Sequence, residues 1–129
     1  MSITHLFVYG TLRPGDVRWP ILAPFVVDQG RPDTTTGRLF DTGLDYPAAM
    51  FGGSGTIHGE SFALLESSIE HALALLDEVE DVVGGDYSRV AITTARGLTA
   101  WAYAYGAGLA LTPIASGDWF QHRPPIPFA

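Results

Sequence analysis

With 129 residues, 47% of them hydrophobic and 16% charged, the chain has the length of one domain and can bury a sizeable core; disorder needs the reverse balance. Its seven basic residues are all arginines, none in a run, and the net charge is −7, which excludes the clustered cations that nucleic acid or an anionic membrane surface requires. The absence of cysteine removes disulfides, thiolate metal sites and a thiol nucleophile.

The start, Met1-Ser2-Ile3-Thr4-His5, has neither the basic opening nor the apolar stretch of a signal peptide. No later run approaches the ~20 apolar residues that span a bilayer. The expectation is a cytoplasmic protein folded as one domain over residues 1–129.

His5-Leu6-Phe7-Val8-Tyr9 reads as a buried strand that stops at Gly10, with Pro14-Gly15 as a turn signal. The Pro-rich segment up to Pro32 reads as irregular apart from the apolar run Phe25-Val26-Val27. A second strand is expected over 36–41. Ala48-Ala49-Met50-Phe51 and the stretch 56–64 flank Gly52-Gly53-Ser54-Gly55, which reads as a hairpin turn. One clear helix is expected over about 68–80, opened by a capping box of Ser67 and Glu70. Strands follow over 87–94 and 98–105, joined by an Ala95-Arg96-Gly97 turn. In the second of them Trp101, Tyr103 and Tyr105 alternate with Ala100, Ala102 and Ala104, the period of a strand. The tail, rich in Gly, Pro and aromatics, is expected to wrap the surface. Many strands and one main helix make an α+β domain, a small mixed β-barrel with short flanking helices.

Periodicity singles out one acid. With Ile69 at zero and about 100° per residue, Leu73 falls near 40°, Leu76 near 340°, Ala72 near 300° and Val79 near 280°. Glu80 falls near 20°, inside this apolar stripe, whereas Glu70, Asp77, Glu78 and Asp81 lie at its margin or outside it. A carboxylate on an apolar face loses solvation, its pKa rises, and it suits proton transfer near neutral pH. If the helix ends short of Glu80, the projection carries no meaning there.

The stretch Tyr9-Gly10-Thr11-Leu12 is a strand breaking at glycine into a turn. Successive main-chain N–H groups of such a turn can converge into a nest for an anion or a developing oxyanion. It is neither a P-loop nor a dinucleotide fingerprint, and an ordinary strand-end turn has the same signature. His5, His58, His71 and His122 have no metal-ligand spacing, and no G-x-S-x-G elbow is present. Neither metal nor cofactor is expected. The aromatic stripe 101/103/105 reads as core, with Tyr105 kept as a candidate because a strand-end tyrosine can present its hydroxyl to a pocket.

In order along the chain, Phe7-Val8-Tyr9-Gly10-Thr11-Leu12-Arg13, Gly37-Arg38-Leu39-Phe40-Asp41, Tyr46-Pro47-Ala48, Gly59-Glu60, Leu76-Asp77-Glu78-Val79-Glu80, Tyr87-Ser88-Arg89-Val90, Ala100-Trp101-Ala102-Tyr103 and Ser116-Gly117-Asp118-Trp119 resemble the γ-glutamylcyclotransferase-like family. The resemblance covers nearly the whole chain, and its specificity lies in the ordered set. It implies a small mixed barrel with short helices. It also implies a substrate-binding turn at Tyr9, Gly10, Thr11 and Leu12, an acid/base at Glu80, and Tyr87 lining the same pocket. Asp81 stands where the family usually has glycine, which bears on the activity more than on the fold.

The implied reaction converts a γ-glutamyl amine or γ-glutamyl amino acid to 5-oxoproline plus the free amine. The substrate's own α-amine is the nucleophile, and Glu80 is general acid/base. The implied partner is a small γ-glutamyl molecule, and the protein is expected to be a monomer or homodimer. The reading from another class is a non-catalytic small-molecule binding module that retains the pocket.

Overall fold

The computed structural model describes residues 3–43, 46–80, 87–105 and 111–123. Strand β1 (His5–Val8) leads to a short helix α1 (Trp19–Leu22), then to β2 (Arg31–Asp41), β3 (Pro47–Ala63) and the main helix α2 (Ile69–Val79). Strands β4 (Tyr87–Thr93), β5 (Thr99–Tyr105) and β6 (Thr112–Ile114) and helix α3 (Trp119–His122) complete the described chain.

The six strands form one mixed sheet in the order β4-β5-β1-β3-β2-β6. β1 and β5 run parallel, and the other pairs are antiparallel. The sheet curls into a half-barrel, the α+β arrangement expected from the sequence. Three hydrogen bonds record the curl. Thr35 Oγ1 donates to the Thr93 carbonyl at 3.0 Å, the Ala95 N–H to the Thr34 carbonyl at 2.8 Å, and the Arg96 N–H to Asp33 Oδ1 at 3.2 Å. They join β2 to the β4–β5 turn although three strands separate β2 from β4 in the sheet.

Alternation along β1 buries both of its faces. Leu6 and Val8 join Phe62, Leu64, Leu73 and Leu76 under the helices. Phe7 and Tyr9 join Leu39, Ile57 and Trp119 on the other face. The alanine side of β5, Ala100 and Ala102, belongs to this second cluster, while Tyr103 belongs to the first. Small residues in the second cluster fit where Trp119 fills the space.

Several expectations are corrected. Gly52-Gly53-Ser54-Gly55 is no hairpin turn: Thr36 pairs with Thr56 and Gly37 with Phe51, so both flanks lie against β2 and four residues bulge out of a single strand. Positive φ at Gly52, Gly53 and Gly55 permits the excursion. The capping box fails as well. Ser67 lies in a 3-10 turn (Glu66–Ser68), and the N-cap residue, Ser68, makes no side-chain cap bond. The segment before Pro32 is not wholly irregular, since it contains α1 and a 3-10 turn (Ala23–Phe25), and β2 begins at Arg31. The tail does more than wrap the surface: β6 extends the sheet beside β2, and Trp119 is fully buried. That docking needs Gly117, whose φ is +66° and whose Cβ, if present, would collide with the Thr56 carbonyl.

Candidate functional site

A small, open cleft lies where the end of β1, the start of β3, the end of α2 and the face of β5 meet. One wall is the turn that follows β1. Its residues 9–12 are all buried, and Arg13 N–H closes the turn onto the Gly10 carbonyl at 3.0 Å. The main-chain N–H groups of Gly10, Thr11 and Leu12 donate to no acceptor among the described residues. Buried unpaired donors are costly and uncommon, and three in succession beside a cleft have the chemistry to receive an anion.

Gly10 owes its identity to packing. Its φ is not positive; a Cβ there would stand 2.8 Å from Cδ and Cγ of Pro47, which also lines the cleft. Behind the turn, Arg13 is buried and grips Glu60 with Nε and Nη2 at 2.9 and 2.8 Å. Its Nη1 reaches Asp118 at 2.9 Å, and the guanidinium stacks 3.9 Å from the centre of the Phe120 ring. Burial alone would raise the Asp118 carboxyl, but the hydrogen bond and charge of Arg13 override it and hold its pKa below the ordinary value. Asp118 also caps α3 by accepting the Phe120 N–H at 3.0 Å. Three sequence pieces far apart in the chain, around Arg13, Glu60 and Asp118, are thus one clamp that fixes the turn.

Glu80 enters from the end of α2. The helix stops at Val79, and Glu80 is its C-cap, with φ −86° and ψ 7°. Its N–H still donates to the Leu76 carbonyl at 2.9 Å, so the helical register extends to it and its side chain lines the cleft. Burial raises the carboxyl pKa to about 7, opposed by the nearby charge of Arg18. The negative end of the α2 dipole acts in the same direction as burial.

Tyr9 lines the cleft, and its hydroxyl donates to the Tyr103 carbonyl. Burial, then the charges of Glu80 and Tyr87, push the Tyr9 phenol well above its ordinary pKa, so Tyr9 acts as a framework hydrogen-bond donor. Tyr87 and Tyr105 are not among the residues that line the cleft. Tyr87 stands behind its wall, donating to the Pro47 carbonyl at 3.0 Å and packing edge-on against Tyr46 and Tyr105. Asp81 lies outside the described residues.

Sequence reasoning missed several residues here. Tyr46 and Pro47 line the cleft, as does Tyr103, read from the sequence as core alone. The Tyr103 hydroxyl donates to Asp77 Oδ1 at 2.8 Å, which also takes Arg89 Nε at 2.8 Å. Asp77, at the margin of the helical projection, therefore holds a cleft residue in place. The alternation of aromatics along β5 marked Tyr103 as inward, but no local signal marked which inward residue meets a cleft. Among the described residues, no group of three or more His, Asp or Glu is placed to hold a metal ion, and no helix is long and apolar enough to cross a membrane.

The gamma-glutamyl cyclotransferase, AIG2-like family matches the sequence over residues 6–121. Among solved structures, an uncharacterized protein of Pyrococcus horikoshii superimposes with a TM-score of 0.69 at 25% identity, covering 95% of this chain and 93% of that one. YkqA of Bacillus subtilis gives 0.72 at 27% identity, with this chain spanning 41% of its length. An AIG2-like protein of Mus musculus gives 0.60 at 21% identity over 84% of this chain and 79% of that one, a likeness of fold. No curated protein matches the sequence.

Proposed function

This chain belongs to the gamma-glutamyl cyclotransferase, AIG2-like family, and we propose that it is a cyclotransferase converting a γ-glutamyl amine or γ-glutamyl amino acid to 5-oxoproline and the free amine, with Glu80 as general acid/base. The family supports a cyclotransferase acting on a small molecule in general terms. One observation carries the finer reading: a carboxyl group with a pKa near 7 shares a cleft with three successive unpaired main-chain N–H groups.

The chemistry suits this inventory. The substrate's α-amine attacks its own γ-carbonyl carbon, forming the lactam C–N bond, and the γ-amide C–N bond then breaks. Two protons pass from the attacking nitrogen to the leaving nitrogen overall, and Glu80, ionised at the outset, accepts and returns them. The amides of the 9–12 turn hold the glutamyl carboxylate or the developing oxyanion. Folding amine and carbonyl together contributes roughly 7–11 kcal/mol to lowering such a barrier. Neither a side-chain nucleophile nor activated water enters the scheme.

The test is a panel of γ-glutamyl amines and γ-glutamyl amino acids incubated with the protein, with 5-oxoproline measured directly. Its appearance, and its loss in Glu80→Gln, supports the reading. Saturable binding without 5-oxoproline from any member would overturn it in favour of the non-catalytic binding module.

A further inference from the structure

We propose that Arg18, beside the cleft, is a second anion-binding element, placed to pair with a carboxylate on the group that leaves, so that the enzyme prefers γ-glutamyl amino acids to γ-glutamylamines lacking that carboxylate. The assignment rests on the cyclisation reading above.

Arg18 is held against the substrate-binding turn. It immediately precedes α1, and its N–H donates to the Thr11 carbonyl at 2.9 Å. Its guanidinium centre lies 5.8 Å from the centre of the Tyr46 ring, a cleft-lining residue. Arg13 is paired with Glu60 and Asp118, and Arg89 with Asp77. Arg18, half-buried, makes no ion pair among the described residues. A partly desolvated guanidinium with no carboxylate at ion-pair distance among the described residues gains from a ligand that supplies one, and its planar fork suits a carboxylate in a two-bonded pairing.

The geometry also says which carboxylate. Glu80 returns a proton to the leaving nitrogen, so the leaving group lies on the Glu80 side of the cleft. Arg18 stands over Tyr46, which lines the same cleft as Glu80 and packs against Tyr87, and its charge reaches Glu80. The unpaired amides of residues 10–12 suit the glutamyl carboxylate. A γ-glutamyl amino acid brings two carboxylates to these two anion-receiving elements, whereas a γ-glutamylamine brings one.

The experiment compares γ-glutamylalanine with γ-glutamylethylamine, chosen because the second lacks the carboxylate of the leaving group. Both are assayed at about pH 9, where Glu80 is ionised with or without Arg18. In the parent, kcat/KM should favour γ-glutamylalanine by about 10–100-fold, the scale of a hydrogen bond to a charged group. In Arg18→Gln that ratio should collapse towards one, chiefly through KM for γ-glutamylalanine, with partial recovery in Arg18→Lys. A parental ratio near or below one would overturn the proposal without needing any variant. So would an equal loss on both substrates in a folded Arg18→Gln protein. If the parent forms 5-oxoproline from neither compound, the wider panel tests the cyclisation reading separately. Calorimetric affinities of the same two compounds for parent and Arg18→Gln then decide whether Arg18 reads the carboxylate.

Discussion

The main-chain N–H of Glu80 donates to the carbonyl of Leu76 at 2.9 Å, although the helix proper has ended at Val79. That bond holds Glu80 in register with the buried side chains of Leu73 and Leu76. The carboxylate is thereby directed into the cleft instead of out with the exposed Glu78. Glu80→Gln keeps the size of the side chain and removes its proton transfer. Turnover should fall by about 10²–10⁴-fold with substrate binding retained. Near-parental turnover, in a protein shown to convert a γ-glutamyl substrate, would remove Glu80 from the mechanism.

The same variant should report on stability. Unfolded, the Glu80 carboxyl titrates near its ordinary 4.5; folded, near 7. Between these values the folded protein retains a proton that the unfolded chain has released. The parent therefore loses stability as pH rises through this window, and Glu80→Gln does not. The advantage of the variant in thermal or urea unfolding should be small at about pH 4, grow through neutrality and level off near pH 8. Its ceiling is about 3 kcal/mol, reduced by the partial exposure of the side chain. A constant difference across this range would contradict the raised pKa.

Activity should carry the same signature. Because the base must be ionised, kcat/KM should fall on the acid side with a midpoint near pH 7, set by Glu80. Arg18 favours the ionised form, so Arg18→Gln should move this limb to higher pH. A limb unmoved by that substitution would show that the two charges are not coupled in solution.

At the turn, Gly10→Ala places a Cβ about 2.8 Å from the Pro47 ring, and a proline ring yields little. The cost should be about 1–3 kcal/mol from overpacking, with weakened substrate binding as Pro47 moves. Gly10→Val should be worse. Thr11→Ser, which leaves the main-chain amides in place, should change KM less than about 3-fold. Melting temperature and KM measured on the three proteins check this, and normal affinity in folded Gly10→Val would refute a binding role for the turn.

Arg13→Lys tests the clamp. A lysine keeps the charge but cannot donate to Glu60 twice while also reaching Asp118. Stability should fall by about 2–4 kcal/mol, as when a largely buried pair loses its geometry, and KM should rise because the turn is no longer fixed. Unfolding by denaturant alongside substrate kinetics measures both. A loss of stability with KM unchanged would make the clamp purely structural.

Asp77→Asn tests the support behind Tyr103. Asp77 Oδ1 accepts from both Tyr103 and Arg89 at 2.8 Å, and an amide oxygen there can still accept from both but without the charge that pairs with Arg89. Stability should drop by about 1 kcal/mol with a small loss of turnover, far less than for Glu80→Gln. Glu78→Gln, on the exposed face, should match the parent. A loss of turnover in Asp77→Asn as large as in Glu80→Gln would mean that the wrong helix carboxylate has been given the proton.

What the sequence determined by itself is what near neighbours decide. The 3.6-residue spacing of Ala72, Leu73 and Leu76 oriented Glu80, because a helix relates residues three and four apart whatever surrounds it. Alternation placed Leu6 and Val8 on one face of β1 and Phe7 on the other for the same local reason. The break at Gly10 located the turn. Tertiary structure alone decided which distant residues meet. Arg13 reaches 47 residues on to Glu60 and 105 residues on to Asp118, and neither separation carries a periodic signal. Gly10 is required by Pro47, packed directly against it, and not by its own backbone angles. Trp119 is core because the sheet curls and β6 pairs with β2, so a segment that looks like a loose tail in composition becomes part of the interior. Arg18 is a lone cation in a loop until the fold sets it beside Tyr46 and within electrostatic reach of Glu80. Local spacing orients a side chain, whereas the curl of the sheet determines what that side chain meets.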